Sequence, residues 1–438
     1  ADGDLARSDA LRAARRLLAA QVRWAGSVPD RAPDASVVAS PPHRALARRA
    51  AAAGMVLLRN EPFGAAPLLP LDPDAVGRVA VLGALADAPN LGDDGSSAVR
   101  PPETVTMLAG LREALGPHAV AVPDDDAVGS AVVLARSSDV AVVVVGCTAA
   151  DEGEALIAMD RDTIGLMPGP LGSRRLAGLT SKLISIAARS KGSTGGDRER
   201  LTLRDEDEEL IRAVAAVNPR TIVVVVAGSA VLTERWRHDV PAVLLAWYPG
   251  MEGGRALADV LTGAEEPGGR LPFAVPTDES HLPHFDRDAR RIVYDRWWGQ
   301  RRLDRDRRRP AFPLGFGLGY TQFELDGLEL TALDRASLTG SARVAVANTG
   351  GRRGSTVVQV YADSDAGPLR PRRQLLGFAK VTLDAGEGGR IDVDLDLRPL
   401  ARREPASREW SLVPGDHRLE AARHAGDPAA VVIPFDPS

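Results

Sequence analysis

The sequence predicts two folded units in tandem: an α/β sandwich on a mostly parallel sheet, followed by an all-β sandwich. Three observations carry this expectation. Five short apolar runs between residues 76 and 275 alternate with segments of helical periodicity. The runs are apolar throughout and the longer ones are mostly β-branched, as strands covered by helices on both faces must be. From residue 321 onward the pattern switches to period two, punctuated by turn residues.

Taken in order, residues 5–25 carry apolar positions at helical spacing and predict one amphipathic helix, with Ser8 and Asp9 able to cap its second turn. Residues 29–42, rich in proline, alanine and serine, read as a linker, and a second helix is expected over 44–59. The predicted strands are 79–82, 119–122, 140–145, 222–226 and 242–247. Residues 155–196 interrupt the alternation: 159–170 read as loop, 171–188 as helix and 192–196 as flexible. A segment of that length serves as a lid, a contact surface or a disordered loop. Residues 287–309 hold ten arginines and four aspartates around Trp297 and Trp298. The favoured reading is a connector whose arginines pair with its own aspartates and the domain beneath; the other is a polyanion site. Beyond it, 343–347, 357–361 and 390–395 alternate in polarity, and Asn348-Thr349-Gly350-Gly351, Asp384-Ala385-Gly386 and Pro414-Gly415-Asp416 supply turns. Seven strands are expected there. The expected domain boundaries are 1–28, 29–43, 44–275, 276–320 and 321–438.

Composition narrows the function. Hydrophobic residues make up 44% of the 438 positions and charged residues 26%, the balance of a chain able to bury a large core. A net charge of -5 supplies no overall field for nucleic acid or an anionic membrane. Of the 54 basic side chains only Lys182, Lys191 and Lys380 are lysine, a skew that reads as coding bias rather than phosphate recognition. The single cysteine, Cys147, excludes an intrachain disulfide and a cysteine-based zinc site, and no apolar run reaches the ~18 residues of a membrane span. Ala1 stands where an initiator Met would be and no signal or lipidation motif follows. Localisation therefore stays open between cytoplasmic and secreted, and an incomplete polypeptide is expected.

Parallel sheets place their sites at the carboxyl ends of their strands, so the residues just after each apolar run are the candidates. After 140–145 come Asp151, Glu152 and Glu154, three carboxylates within four residues. Like charges that close raise at least one pKa, so one can stay protonated as a general acid; the alternative is a solvated acidic loop. After 79–82 comes a glycine-rich stretch with Asp93, Asp94, Ser96 and Ser97, suited to a phosphate or a sugar hydroxyl, or to a plain turn. It lacks the dinucleotide spacing and no Gly-Lys-Ser/Thr follows. Gly228-Ser229-Ala230 lacks the second glycine of a nucleophile elbow. His281 and His284 share a helical spacing that Pro283 breaks, so no metal is assigned. Cys147 ends an apolar run and reads as a core residue.

The motifs, in their order, resemble the carboxyl-terminal part of glycoside hydrolase family 3, the β-glucosidase and β-xylosidase family. Gly54-Met55-Val56-Leu57-Leu58-Arg59-Asn60 with Leu68-Leu69-Pro70-Leu71 resembles the start of that family's second domain. Residues 90–97 resemble its glycine-serine loop, with Pro101 to Thr106 following. Ala246-Trp247-Tyr248-Pro249-Gly250-Met251-Glu252-Gly253-Gly254, then 258–261 and 267–272, are the most specific pieces. Residues 312–323 then lead into an immunoglobulin-like, fibronectin type III-like domain marked by 348–350 and 376–380.

The resemblance implies a retaining exo-acting glycosidase on a carbohydrate substrate, and nothing in the sequence suggests a cofactor or a metal. In such an enzyme one carboxylate attacks the anomeric carbon and a second, about 5–5.5 Å away, protonates the leaving oxygen and then activates water. Asp151-Glu152-Gly153 matches the family's acid/base turn, with Asp151 in place of the usual small residue. This makes Glu152 the acid/base, Glu154 the second choice, and Asp93, Asp94, Ser96, Ser97 and Asp151 candidate substrate contacts. The 155–196 segment leaves directly from this loop and is placed on the aglycone side. The family's nucleophile is an aspartate of an amino-terminal barrel, and no aspartate here occupies that motif. Residues 5–25, through Ala14-Arg15-Arg16-Leu17-Leu18, resemble the last barrel helix, so 1–28 is read as the remnant of a missing barrel. The favoured expectation is a piece of a β-glucosidase-like hydrolase that supplies the acid/base while a barrel upstream supplies the nucleophile. The alternative is a non-catalytic carbohydrate-binding or structural module, or a subunit completing a barrel on another chain.

Overall fold

The structure, a computed structural model, describes residues 6–27, 34–64, 66–92, 98–153, 198, 200–286, 289–364, 367 and 370–436. The expectations for 159–170, 171–188 and 192–196 lie outside these residues.

Helix α1, Arg7–Trp24, is amphipathic as its spacing predicts, and none of its side chains is buried. Its amino end rests on Ala6 without a side-chain cap, and Asp9 accepts a 2.5 Å bond from Arg12 instead of capping. In the linker stretch Asp34 caps a 3-10 turn over Ala35–Val37, and Pro41 and Pro42 then open helix α2, Pro41–Gly54.

The helix expected over 44–59 is corrected. The chain leaves it at Gly54, and Val56–Asn60 form strand β1. Met55, Val56 and Leu57 are consecutive and fully buried, which a strand between two cores allows and a helix with one covered face does not.

Strand β2 (Val79–Leu82), helix α3 (Met107–Leu115), strand β3 (Val120–Ala121), helix α4 (Val128–Arg136) and strand β4 (Val140–Gly146) follow. Helix α5 (Ala149–Glu152), helix α6 (Asp205–Ala215), strand β5 (Thr221–Val226), strand β6 (Ala242–Leu245) and helix α7 (Gly253–Thr262) complete the α/β layer. The six strands lie in the order β1-β6-β5-β4-β2-β3, with only β1 antiparallel to its neighbour. The mostly parallel sheet is borne out, and each predicted run supplies one parallel strand.

Alternate residues of each strand serve opposite cores. Val79, Val81, Val142, Val144, Ile222, Val224 and Leu244 pack on one face with Leu108 and Leu111 of α3 and Leu257 and Val260 of α7. Ala80, Leu82, Val143, Val145, Val223, Val225 and Val243 pack on the other with Leu134 of α4, Ile211 and Val214 of α6, and Trp236. Helices α3 and α7 meet through glycine: a Cβ on Gly110 would lie 2.0 Å from the Gly254 carbonyl oxygen.

Residues 310–312 pair with 275–276, and helix α8, Gln300–Arg305, occupies the arginine-rich connector. Arg302 and Arg305 pair with Asp306, Asp304 receives Arg373, and Arg305 and Arg301 lie over the rings of Trp297 and Trp298. Arg301, Arg302 and Arg305 thus find partners within the connector itself.

Among the described residues the two sheets of the second sandwich hold seven strands, the number expected, and Ala401–Arg403 pairs with Trp410–Leu412 in a further two-stranded ribbon. Strands β7 (Phe323–Asp334), β8 (Thr339–Asn348) and β11 (Gly388–Asp396) make a three-stranded sheet in the order β7-β8-β11. Strands β9 (Gly354–Ser364), β10 (Arg373–Leu383), β12 (His417–Ala422) and β13 (Val431–Phe435) make a four-stranded sheet in the order β10-β9-β12-β13. All pairings are antiparallel. Buried Asn348 explains its motif: its amide donates to the carbonyls of Arg352 and Leu383, and its Oδ1 accepts from Thr321 Oγ1 and the Gly350 N–H. The sandwich is tied to the α/β layer by Tyr320, whose N–H donates to Glu266 and whose hydroxyl donates to the Val260 carbonyl.

Candidate active site

Strand β4 ends at Gly146, with φ at +142° and no room for a side chain, since a Cβ would sit 1.9 Å from the Val226 carbonyl oxygen. The Cys147 N–H then donates 2.7 Å to that same carbonyl, and Asn90 donates 2.8 Å to the Cys147 carbonyl. The next residues form a capping box: Thr148 Oγ1 accepts from the Ala150 N–H, while Asp151 accepts from the Thr148 N–H at 2.8 Å. One turn of helix follows and ends on Glu152.

Glu152 is where the chain converges. Its Oε2 accepts from the Tyr248 hydroxyl at 2.6 Å and from the Gly228 N–H at 2.7 Å, and its Oε1 faces Arg198 Nε at 3.1 Å. The side chain is 10% exposed and that of Arg198 8%. Each donor stands beyond the carboxyl end of a parallel strand or beside it. Gly228 follows β5, Tyr248 follows β6, and Arg198 is held by Ser229 Oγ at 2.7 Å and by the Ala230 carbonyl. Gly228 has its own reason to be glycine, because a Cβ there would press to 3.1 Å on both Glu152 Oε2 and the Tyr248 ring.

The neighbouring groups are set by burial and charge. Burial, then the hydrogen bond to Glu152, pushes the Tyr248 hydroxyl far above its ordinary range. Burial first and the Glu152 charge second push the Cys147 thiol up to about 11, so it stays protonated and buried in the core rather than acting as a nucleophile. Burial works against ionisation of Asp151, but its bond from Arg204, then those from Thr148, hold its carboxyl below the usual carboxylate range.

Asp207, on α6 beside Arg204, is pushed up to about 6 by burial, against the Arg204 charge and the Gly146 N–H. The folded protein thus holds a proton on Asp207 between roughly pH 4 and 6 that the unfolded chain has released. Stability from this group is full below pH 4 and lost as the pH rises through 6. Urea unfolding at pH 4.5 and 7.5 is expected to show that loss in the parent and a smaller one in Asp207→Asn. Equal losses would remove Asp207 from the account.

The sequence-selected residues separate clearly. Glu152 and Asp151 are adjacent at the end of β4, but Asp151 is engaged with Thr148 and Arg204. Asp93, Asp94, Ser96, Ser97 and Glu154 lie outside the described residues. Asn90, at the start of the glycine-serine loop, is tethered beside the acidic turn. His281 Nδ1 faces Thr277 Oγ1 at 3.3 Å, and among the described residues no group of three His, Cys, Asp or Glu could hold a metal. No described helix is long and apolar enough to cross a membrane. Sequence reasoning missed Tyr248, Gly228 and Arg198. The first two directly follow apolar runs, the same signal that marks the acidic turn, whereas nothing local marks Arg198.

The model of the glycosyl hydrolase family 3 C-terminal domain matches residues 55–320, which includes every residue of this site, and a fibronectin type III-like domain model matches 356–425. The chain belongs to glycosyl hydrolase family 3. Among its relatives, thermostable beta-glucosidase B of Acetivibrio thermocellus is 30% identical over 403 residues, covering 88% of this chain and 47% of that protein. An exo-alpha-(1->6)-L-arabinopyranosidase of Bifidobacterium breve is 27% identical over 409 residues, covering 89% and 48%. The crystal structure of a Bifidobacterium adolescentis family 3 beta-glucosidase superposes with a TM-score of 0.76 at 27% identity, covering 99% of this chain and 59% of that one. This family 3 chain thus spans about half the length of the curated relatives named here. Among its described residues there is no barrel domain.

The site's geometry gives the family 3 motif 246–254 a physical reading. Trp247, at φ +57°, donates its indole N–H to the Gly54 carbonyl at 2.9 Å. Tyr248 holds Glu152, and Pro249 packs where a Cβ on Gly253 would come within 2.5 Å. Gly250 takes φ +72°, and buried Glu252 pairs with Arg255 at 2.9 Å.

Proposed function

We propose that this chain supplies the acid/base, Glu152, of a retaining exo-acting β-glycosidase that removes terminal β-linked sugars. The nucleophile belongs to an amino-terminal barrel, upstream in the same polypeptide or on another chain. One observation carries this reading: Glu152 is held by Tyr248, Gly228 and Arg198 at the carboxyl edge of the parallel sheet, within the matched family domain.

The chemistry needs two carboxylates. In the first displacement Glu152 gives its proton to the leaving oxygen while the barrel aspartate attacks the anomeric carbon. In the second it takes a proton from water, which opens the glycosyl-enzyme. Asp151 is spent on the capping box and Arg204, so in this reading it shapes the turn that presents Glu152 rather than touching sugar. The relatives' names include both a glucosidase and an arabinopyranosidase, so the sugar is set by residues beyond this pair.

The chain by itself is expected to give no turnover of an aryl β-glucoside above a Glu152→Gln control, because one carboxylate cannot carry out double displacement. Supplying a family 3 barrel domain, fused or in trans, is expected to produce turnover with the parent and not with the control. Hydrolysis by the isolated parent chain above that control would overturn the reading.

A further inference from the structure

We infer that the second sandwich carries a binding site for an oxyanion, a phosphate or carboxylate group of a small molecule, held by Arg370, Arg372 and Arg418. Nothing in it depends on Glu152 being the acid/base. The site is a cavity of about 660 Å³ at the place where β9 ends and β10 and β12 begin.

The cavity is built around one buried carboxylate. Asp363, the next-to-last residue of β9, has a side chain 4% exposed and accepts from two arginines at once. Arg372 meets it with Nε at 2.7 Å and Nη2 at 3.2 Å, and Arg418 of β12 with Nη2 at 2.7 Å. These bonds anchor both guanidinium groups. The two side chains are still 65% and 54% exposed, and each keeps further N–H groups for a ligand.

Arg370 supplies the third guanidinium. Its Nη1 reaches the Leu400 carbonyl at 3.5 Å, and among the described residues no carboxylate pairs with it. Burial first, then the charges of Arg296 and Arg402, hold its pKa below the ordinary arginine value. A cation that is desolvated and repelled by its neighbours is stabilised when an anion joins it. The carboxylates nearby are already engaged in the main. Glu404 meets Arg402 at 3.5 Å, while Asp304 and Glu420, which also act on Arg372, meet Arg373 at 3.3 and 3.1 Å. Asp416 is the other acid in the described lining, so three guanidiniums face two carboxylates, one of them doubly bonded.

Guanidinium forks match the oxygen spacing of carboxylates and phosphates, whereas a neutral sugar offers them no charge. The volume lies in the range of sites that enclose a small organic molecule. A sugar phosphate and a sugar acid share the required chemistry.

Calorimetric titration of the whole chain at low salt tests the site, with glucose 6-phosphate, glucuronate, inorganic phosphate and glucose as probes. Glucose 6-phosphate or glucuronate is expected to bind, and Arg370→Gln to weaken that binding about tenfold or more, as loss of one charged hydrogen bond does. Arg390→Gln removes an exposed arginine of β11 outside the cavity lining, and is expected to change the affinity less than about twofold. A urea midpoint near that of the parent qualifies each variant, and Arg418→Gln gives a second reading should Arg370→Gln fail to fold. Tighter binding of glucose 6-phosphate would name a phosphate ester as the ligand, and tighter binding of glucuronate a carboxylate. Inorganic phosphate binding as tightly as either would name the free anion. No binding of any of the three anions, equal losses in Arg370→Gln and Arg390→Gln, or a glucose signal that Arg370→Gln abolishes would overturn the inference.

Discussion

Replacing Glu152 by alanine, in a polypeptide that also carries the barrel, is expected to slow hydrolysis of a disaccharide or alkyl β-glycoside about a thousandfold. The same change is expected to lower the first-step rate on a dinitrophenyl β-glycoside less than about tenfold. An alkoxide cannot depart without a proton, whereas dinitrophenolate departs as the anion. The glycosyl-enzyme should then accumulate, because no base remains to activate water. Azide, which attacks without losing a proton, is expected to relieve that block. The measurement is kcat/KM across a leaving-group series, with azide added at the activated end. An equal loss at both ends of the series would assign the acid/base elsewhere.

The largest expected effect on stability is at Gly254. A Cβ there would lie 1.8 Å from the Thr106 carbonyl oxygen and 2.8 Å from that of Val105, both backbone atoms of the segment entering α3. Neither can rotate away, so α3 and α7 must separate, although each contributes to the same face of the core. Gly254→Ala is expected to cost about 3 kcal/mol, the upper end of overpacking. Gly250, four residues earlier, has φ +72°, and a Cβ there would meet nothing within 4 Å. Gly250→Ala should therefore cost only about 1 kcal/mol of backbone strain. Urea midpoints of the two variants measure the difference. Equal costs would mean that the α3–α7 approach yields easily.

The layers were legible because burial leaves a local record. A strand covered on both faces must be apolar at every position, and 140–145 and 222–226 could be nothing else. The second sandwich was legible because one face of each strand is wet, so 343–347 alternates. Strand β1 was hidden for the same local reason. Residues 55–58 continue the apolar content of α2, and only their pairing with β6, distant in sequence, makes them a strand.

At the site, the acidic turn is written locally, because a carboxylate after a buried strand is a feature of the nearby residues alone, and the role proposed for Glu152 rests on the family resemblance. The surroundings of Glu152 depend instead on how distant strands are brought side by side. Gly228 and Tyr248 are 76 and 96 residues away and meet Glu152 because β4, β5 and β6 are neighbours in one parallel sheet, whose carboxyl ends all open on the same edge. Asp151 and Glu152, adjacent and chemically alike in the sequence, part company for a similar reason. The capping box and Arg204 take up the first, while the second is left at the helix end where the loops of three strands converge. Charge and identity are written along the chain; which donor faces which carboxylate is set by how the strands are ordered.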